Sequence, residues 1–485
     1  MSQPVVTRIA PSPTGDPHVG TAYQALYNSV FARQHGGKFV VRLEDTDRNR
    51  YNAASEGRIL DMLDWLAGAW SGIEPDASPR REDEFGPYIQ SQRAGMHRQY
   101  AEQLLESGAA YRAFDTPEEL DERRKAAEAR KDSHLGYDRR DRALSREESD
   151  RRAAAGEAFV IRLAAPLEGE TVVRDRLRGD VVFQNADLDD KVLLKRDGFP
   201  TYHLAAMVDD HLMNVTHVIR AEEWLTSTPI HKLILAGLGW NEPEWIHTPW
   251  LLSAGGKKYS KRRGDPSVED FRRMGILPEA LLNYLGMMGW SMPNGEEVFS
   301  PDDMVQHFTW ERVSLGGSTF DVTKLKWLNG KYIREVLTPD MVAARLQAFR
   351  DEYDSAPAVP NDASFQAVVA MMLPRFETLA EFWEKTPYFF SETYTVTDKA
   401  QKLIEDGREL LPSVRAALEA LPNFAHDTTE AALRTLAETL GLKPGKIMQP
   451  LRAAVAGTSE SPGMFEMLEA MGKERVLARI DRVLA

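Results

Sequence analysis

At 485 residues the chain is too long for one hydrophobic core of ordinary size, so two to four domains are expected. Its 42% apolar and 28% charged residues exclude a disordered or collagen-like polymer, and its lack of cysteine excludes disulfides, thiolate zinc sites and cysteine nucleophiles. Sixty basic against 74 acidic residues, a formal net charge of −14, argue against nonspecific coating of nucleic acid while leaving room for a local basic footprint.

Met1-Ser2-Gln3-Pro4-Val5 lacks the basic start and apolar core of a signal peptide, and no later stretch is long and apolar enough to span a bilayer. A cytoplasmic protein without membrane contact is expected. Val5 to Ala10 is a short β-branched run that Pro11-Ser12-Pro13-Thr14-Gly15-Asp16-Pro17 breaks into a rigid turn. Ala22, Leu26 and Val30 then recur at helical spacing up to Gly36-Gly37, and Phe39 to Leu43 resumes an extended pattern. Strand, helix and strand in that order predict a parallel sheet with a right-handed crossover. Ligands of such sheets gather at the carboxyl ends of the strands, where the loop from Pro11 to His18 lies.

From about Thr116 to Gly156 the composition turns sharply charged, which predicts a solvated inserted region. Thr116-Pro117-Glu118-Glu119 has the form of a capping box with proline at the first helical position. Strand-like pieces follow at Glu170 to Arg174, Asp180 to Phe183 and Val192 to Lys195, with Asp197-Gly198 as a hairpin signal before Tyr202-His203-Leu204. Val215 to Arg220 has the pattern of a buried strand, and Thr228-Pro229 opens a helix that ends near Gly237 or Gly239. Beyond about Thr338 the pattern is almost wholly helical. Thr338-Pro339-Asp340 opens one helix, Val476, Ile480 and Leu484 line another, and Asp351 to Ala363, with Pro357 and Pro360, is a loop between helices.

Two constellations carry chemistry. A turn delivering the chain to a helix start at His18-Val19-Gly20-Thr21 points backbone N–H groups and the positive helix end outward, which favours phosphate, and His18 is a donor to developing charge. The alternative is a capped helix with His18 satisfying a local carbonyl. Gly255-Gly256-Lys257-Lys258-Tyr259-Ser260-Lys261-Arg262-Arg263-Gly264 is either a glycine-hinged cationic lid over a triphosphate or a solvated basic loop.

Taken together, Arg8-Ile9-Ala10-Pro11-Ser12-Pro13-Thr14-Gly15 running into His18-Val19-Gly20-Thr21, and Lys258-Tyr259-Ser260-Lys261-Arg262 downstream, resemble the HIGH and KMSKS signatures of class I aminoacyl-tRNA synthetases. Arg42-Leu43-Glu44-Asp45-Thr46-Asp47, Pro200-Thr201-Tyr202-His203 and Val218 to Trp224 add to a resemblance with the glutamate and glutamine branch that spans the whole chain. The helical final third is similar to the anticodon-binding part of bacterial glutamyl enzymes, where glutaminyl enzymes carry β-barrels.

The resemblance implies an α/β fold: a Rossmann-like parallel-sheet catalytic domain over 1–87 and 205–252, with an inserted α+β acceptor-binding region over 88–204. A stem-contact domain bearing the cationic loop is expected over 253–337, and an all-α anticodon-binding portion over 338–485, divided at about 396. The implied partners are L-glutamate, ATP with Mg²⁺ and tRNA(Glu), and the implied state is a monomer. It further implies His18, Gly20, Lys258 and Lys261 as the catalytic set, with ATP held also by Pro11, Thr14, Gly15, Thr21, Glu223, Trp224, Leu251, Tyr259, Ser260 and Arg262. Glutamate falls to Arg8, Ala10, Ser12, Glu44, Tyr202, Ala206 and Arg220, and the anticodon to Arg375. Relatives often bind zinc through cysteines in the insert, so no zinc site is expected here, and Ala206 stands where they often have asparagine.

A planar guanidinium can meet both oxygens of a side-chain carboxylate, which is why Arg8 and Arg220 suit that end of glutamate. For Asp209-Asp210-His211 a metal site is disfavoured, because three adjacent residues of an extended segment cannot converge on one ion. A structural or tRNA-contact role is expected instead. Nucleotidyltransferases that act without tRNA share the motifs and lack the long helical extension.

Overall fold

The computed structural model describes residues 4–15, 17–47, 51–131, 136–354, 356 and 358–485. Met1 to Gln3, Asp16 of the first turn and Pro357 of the loop between helices lie outside the described residues. Two units make up the chain: Met1–Asp270 with Pro278–Val322, and Phe271–Leu277 with Thr323–Ala485.

The first unit begins with strand β1 (Val6–Ile9), buried at every position, and continues through the proline turn into helix α1 (Val19–Gln34). Apolar residues lie on most sides of α1, and it is correspondingly buried along much of its length. The chain returns as β2 (Lys38–Val41), parallel to β1, pairing Val6 with Lys38 and Ile9 with Val41. Gly37 makes this return feasible, because a Cβ there would lie 2.2 Å from the carbonyl oxygen of Val5.

After α2 (Ala53–Ala67) and α3 (Ala94–Glu106) come β3 (Ala110–Ala113), α4 (Pro117–Arg130), α5 (Arg146–Ala154) and β4 (Val160–Leu163). The capping box of α4 forms as its residues require. Thr116 Oγ1 accepts from Glu119 N at 3.2 Å, and Thr116 N donates to Glu119 Oε2 at 2.8 Å. Neither α4 nor α5 buries a residue, as their charged composition predicts. β5 (Glu170–Asp175) and β6 (Gly179–Gln184) form an antiparallel hairpin, while β7 (Val192–Leu194) joins β3 and β4 in a three-stranded sheet.

The turn at Asp197-Gly198 brings Pro200 back opposite Leu194, but the hairpin goes no further. Tyr202-His203-Leu204 is not its second strand. Those residues open helix α6 (Tyr202–Leu212), whose Leu204, Ala206, Met207 and Val208 repeat at helical spacing and pack into the core. Three residues after a hairpin signal are too few to distinguish the two periods.

Strand β8 (His217–Ala221), helix α7 (Thr228–Gly237) and strand β9 (Glu244–Thr248) form a second parallel crossover, and β5 adds to β9. Thr216, just ahead of β8, donates from its backbone N to Val6 O at 3.0 Å and accepts from Val6 N on Oγ1 at 2.8 Å. This lays β8 beside β1 and gathers the carboxyl ends of β1, β2 and β8 along one edge. The short strands β10 (Leu251–Leu252) and β11 (Ser318–Thr319) pair in parallel beyond it.

In the second unit no strand occurs among the described residues. Thr338 caps the helix Pro339–Tyr353 by accepting from Met341 N. Phe365, Phe376, Phe382 and Trp383 are buried together, with Phe382 and Trp383 edge to face at 5.1 Å between centroids. In the last helix, Lys473–Leu484, Val476 and Ile480 are fully buried, and Leu484 only partly so.

Candidate active site

A cavity of about 1000 Å³ opens at the carboxyl ends of β1 and β8 in the first unit. Arg8, Ala10, Pro11, Ser12, Thr14, His18, Gly20 and Thr21 line it from the first segment, Glu44 from beyond β2 and Tyr202 from the start of α6. Arg220, Glu223 and Trp224 face it from β8 and the turn that follows. Leu251, Lys258, Tyr259, Ser260 and Arg262 complete the wall.

Four expected residues lie off this wall. Gly15 sits in the turn, and Lys261 occupies the 3₁₀ turn between Ser260 and Arg262, which both line the cavity. Ala206 is buried in the core with Leu204 and Val208. Arg375 is exposed on the 3₁₀ turn Leu373–Arg375 of the second unit.

The helix start at His18 differs from a row of free donors. Nδ1 of His18 accepts the backbone N–H of Gly20 at 2.9 Å, and Thr21 N donates to the His18 carbonyl at 2.8 Å. Nδ1 is therefore bare, and a neutral His18 keeps its proton on Nε2. Burial holds its pKa below the ordinary imidazole value, and the cations Lys258 and Lys261 lower it further. The ring meets Tyr259 edge-on at 5.5 Å. Helix mouth and cationic segment thus share one cavity.

The cationic segment is shaped by its glycines, with Gly256 at φ +69° and Gly264 at φ +88°, where an L side chain would be strained. Ser260 N donates to Asp265 Oδ2 at 2.7 Å, and Tyr259 OH to the Pro266 carbonyl at 2.8 Å. Lys258 is ion-paired with Glu223 across the cavity wall. Partial burial lowers the Lys258 pKa, and the Arg263 charge adds to the effect.

The charge pattern on the opposite side comes from buried pairs. Arg8 faces Asp210 with Nε at 3.1 Å from Oδ1 and Nη2 at 3.2 Å from Oδ2. Arg42, fully buried, reaches Asp210 at 2.7 Å and Glu44 at 3.0 Å. Burial pushes the Glu44 pKa up, and the Arg42 charge opposes it. Asp209 is surrounded by Arg93, His97 and Gln90 at 2.6–2.9 Å. Asp209 and Asp210 therefore do structural work, as expected, but they lie on α6, not on an extended segment. His211 stacks on Trp240 with ring centroids 3.7 Å apart.

Arg220 is different. Nε donates to His247 Nε2 at 3.1 Å, Nη1 to Tyr202 OH at 2.9 Å and to His231 Nδ1 at 3.2 Å. Nη2 donates to Thr228 Oγ1 at 2.8 Å and to the Trp224 carbonyl at 3.2 Å. All these acceptors are neutral, so the guanidinium, 6% exposed, meets the cavity touching no carboxylate, and Asp210 and Glu44 act on its charge only from a distance.

Sequence reasoning missed Arg42, Asp175, His231 and His247. Only Arg42 carried a legible signal, because residues 42 and 44 share one face of an extended chain.

A Rossmann-like sheet with a capped helix start facing a cationic loop across one cavity is a nucleotide-handling arrangement of the aminoacyl-tRNA synthetase class. Family comparison agrees: residues 4–327 match the catalytic domain of tRNA synthetases class I (E and Q), and residues 333–484 match an anticodon binding domain. The chain belongs to the class I (E and Q) tRNA synthetases. It is 52% identical over 485 residues to a glutamate–tRNA ligase of Deinococcus radiodurans, covering 99% of each chain. It is 51% identical over 481 residues to one of Thermus thermophilus, covering 99% of this chain and all of the relative. Among solved structures it is similar to a glutamate tRNA ligase of Elizabethkingia meningosepticum in complex with its amino acid. That match has 34% identity, 99% coverage of both chains and a TM-score of 0.87.

Proposed function

We propose that this protein is a glutamate–tRNA ligase, which activates L-glutamate with ATP and transfers it to the 3′-terminal adenosine of tRNA(Glu). A glutamate α-carboxylate oxygen attacks the α-phosphorus of ATP and pyrophosphate leaves. A ribose hydroxyl of the terminal adenosine then attacks the acyl carbon of glutamyl-adenylate, and AMP leaves. Mg²⁺ accompanies the nucleotide as part of that substrate and neutralises charge on the triphosphate.

The observation that carries this reading is the shared cavity, with His18, Gly20 and Thr21 on one side and Lys258, Tyr259, Ser260 and Arg262 on another. Phosphoryl chemistry of this kind needs alignment and cations more than a protein nucleophile. His18 Nε2–H, Lys258 and Lys261 supply the donors and the charge. Lys258 must exchange Glu223 for phosphate oxygens when ATP binds. Pro11, Thr14, Trp224 and Leu251 complete the nucleotide site, and Gly15 shapes the turn that carries Thr14.

Glutamate fits the cationic side of the same cavity. Arg220, Arg8 and Tyr202 face its side-chain carboxylate, Glu44 its ammonium, and Ala10 and Ser12 shape the pocket. Arg8 is paired directly with Asp210, whereas Arg220 touches no carboxylate of the protein among the described residues. The insert over 88–204 is assigned to the acceptor end, the segment 253–337 to the stem and Arg375 to the anticodon. A monomer working in the cytoplasm suits this role.

Aminoacylation of purified tRNA(Glu) and tRNA(Gln), with wild type and Lys261→Ala, tests the assignment. Glutamyl-tRNA should form with the wild type, and Lys261→Ala should lose adenylate formation while binding tRNA within about threefold of wild type. Failure of the wild type to charge either tRNA would remove it.

A further inference from the structure

A buried arginine is ordinarily balanced by a carboxylate, as Asp210 balances Arg8 and Arg42. Arg220 is held by imidazoles instead. His247 receives its Nε–H on Nε2 at 3.1 Å and presents Nδ1 to Asp175 Oδ2 at 2.7 Å. A carboxylate only accepts, so Nδ1 bears the proton and Nε2 is left bare for the guanidinium. Asp175 is fixed in turn by the backbone N–H groups of His247, Leu177 and Arg178, each at 3.0 Å.

The second ring is arranged by the same logic. His231 Nδ1 lies 3.2 Å from Nη1 of Arg220, which can only donate, so the proton of this ring sits on Nε2 and is given to His203 Nδ1 at 3.2 Å. His231 and His247 are fully buried. Burial keeps both rings neutral, His231 well below the ordinary imidazole value and His247 at about 4.

An ordinary buried polar network would also be satisfied, but it would have no reason to leave a full positive charge on a cavity wall. Two neutral rings hold the guanidinium by its N–H groups without cancelling that charge. They also fix its polarity. The Tyr202 oxygen accepts from Arg220 at 2.9 Å, which turns the Tyr202 hydroxyl proton away from Arg220. All five N–H groups of Arg220 are taken by neutral acceptors, so the wall presents the charge of Arg220 together with one unspent hydrogen, that of Tyr202 OH. A carboxylate brings a negative charge to the guanidinium and an oxygen to Tyr202 OH, whereas a neutral amide of the same shape leaves the buried charge without a counter-charge.

We infer that His247, oriented by Asp175, and His231 are positioning residues that hold Arg220 as a cation touching no carboxylate of the protein and thereby set the preference for a carboxylate over an amide side chain. The inference rests on the proposed glutamate-activating function.

The test is steady-state aminoacylation of tRNA(Glu) by the full chain, with glutamine as competitor. His247→Leu and Asp175→Asn remove the bare acceptor or reverse the tautomer. Each should raise KM for glutamate about tenfold or more and narrow the glutamate-to-glutamine ratio of kcat/KM by a similar factor. KM for ATP should stay within about twofold. In His247→Gln the amide oxygen accepts from Arg220 and the NH₂ donates to Asp175, so most of the loss should be recovered. A folded His247→Leu enzyme with unchanged KM for glutamate, or with both KM values rising in step, overturns the inference.

Should the variants not fold, ¹⁵N NMR of the labelled wild type decides. His247 protonated on Nδ1 alone and His231 on Nε2 alone at neutral pH support it, and charged rings or reversed tautomers overturn it. A wild type that charges no glutamate would instead sink the function on which the inference rests.

Discussion

Tyr202 and Glu44 show how the pocket divides a small zwitterionic substrate between donors and acceptors. Tyr202 OH accepts from Arg220 at 2.9 Å, so its own proton is available to a substrate oxygen. Tyr202→Phe removes that donor and leaves one N–H of Arg220 without its acceptor. KM for glutamate should rise about tenfold in an aminoacylation assay, with KM for ATP little changed. A substitution that moved only KM for ATP would place Tyr202 with the nucleotide instead. Glu44 is buried, its Oε1 is held by Arg42 at 3.0 Å, and it lines the cavity. Glu44→Gln keeps the shape and removes the negative charge, leaving Arg42 with less balance and the substrate ammonium with none. Affinity for glutamate should fall by about one to two orders of magnitude, the scale of a lost charge-assisted hydrogen bond. Equilibrium binding of glutamate to the folded variant measures this directly.

At the scale of elements, the return from α1 to β2 is the tightest constraint on the edge that bears the site. A Cβ on Gly37 would stand 2.2 Å from the Val5 carbonyl oxygen and 2.9 Å from the Val5 Cβ, so β1 and β2 would have to separate where they pair. Gly37→Ala is therefore expected to destabilise the first unit by about 1–3 kcal/mol, visible as a lower midpoint in thermal unfolding. An unchanged midpoint would mean that the turn relaxes freely. This strand–helix–strand unit was legible because its signals agree: a β-branched run, a proline turn, helical spacing and paired glycines. The capping box at Thr116 was legible for the same reason, since two side chains three residues apart satisfy each other without help from the rest of the fold. Tyr202-His203-Leu204 was misread because three residues after a hairpin signal do not distinguish period 2 from period 3.6. The core decides instead, through Leu204, Met207 and Val208 on one face of α6. The site followed the same division. His18 and Lys258 stand in contiguous motifs, whereas Asp175, His231 and His247 come from three separate elements and meet only through the crossover that sets β9 between β8 and β5. No local pattern encodes that meeting.

Over the whole molecule, buried imidazoles and carboxylates make stability depend on pH in one direction. Burial lowers His203 and His247 from the usual 6.5 to about 4, and holds His231 well below the usual value too. The unfolded chain binds protons at these rings more readily than the folded one, so their contribution is complete above about pH 6.5 and drains away as pH falls toward 4. For His203 or His247 the span from 6.5 to about 4 corresponds to on the order of 3 kcal/mol. Asp209 and Asp210, whose pKa values are held below the usual 3.8, carry the loss to still lower pH. Their partners outweigh the burial that alone would raise them. Glu44 works in the opposite sense, because its raised pKa stabilises the folded state only on the acid side. His18, His211 and His217 are lowered in the same direction, so the depressed rings outnumber Glu44 and the raised His426 and leave a net loss on acidification. The unfolding midpoint, followed by calorimetry from about pH 7.5 to about 4.5, should fall steadily below about 6.5. The same scan on His247→Gln should give a shallower acid limb, because one of the depressed rings is gone. A wild-type midpoint that stayed level across that range would show that the rings around Arg220 are not held neutral by the fold, and the case for a guanidinium held only by neutral groups would lose its physical basis.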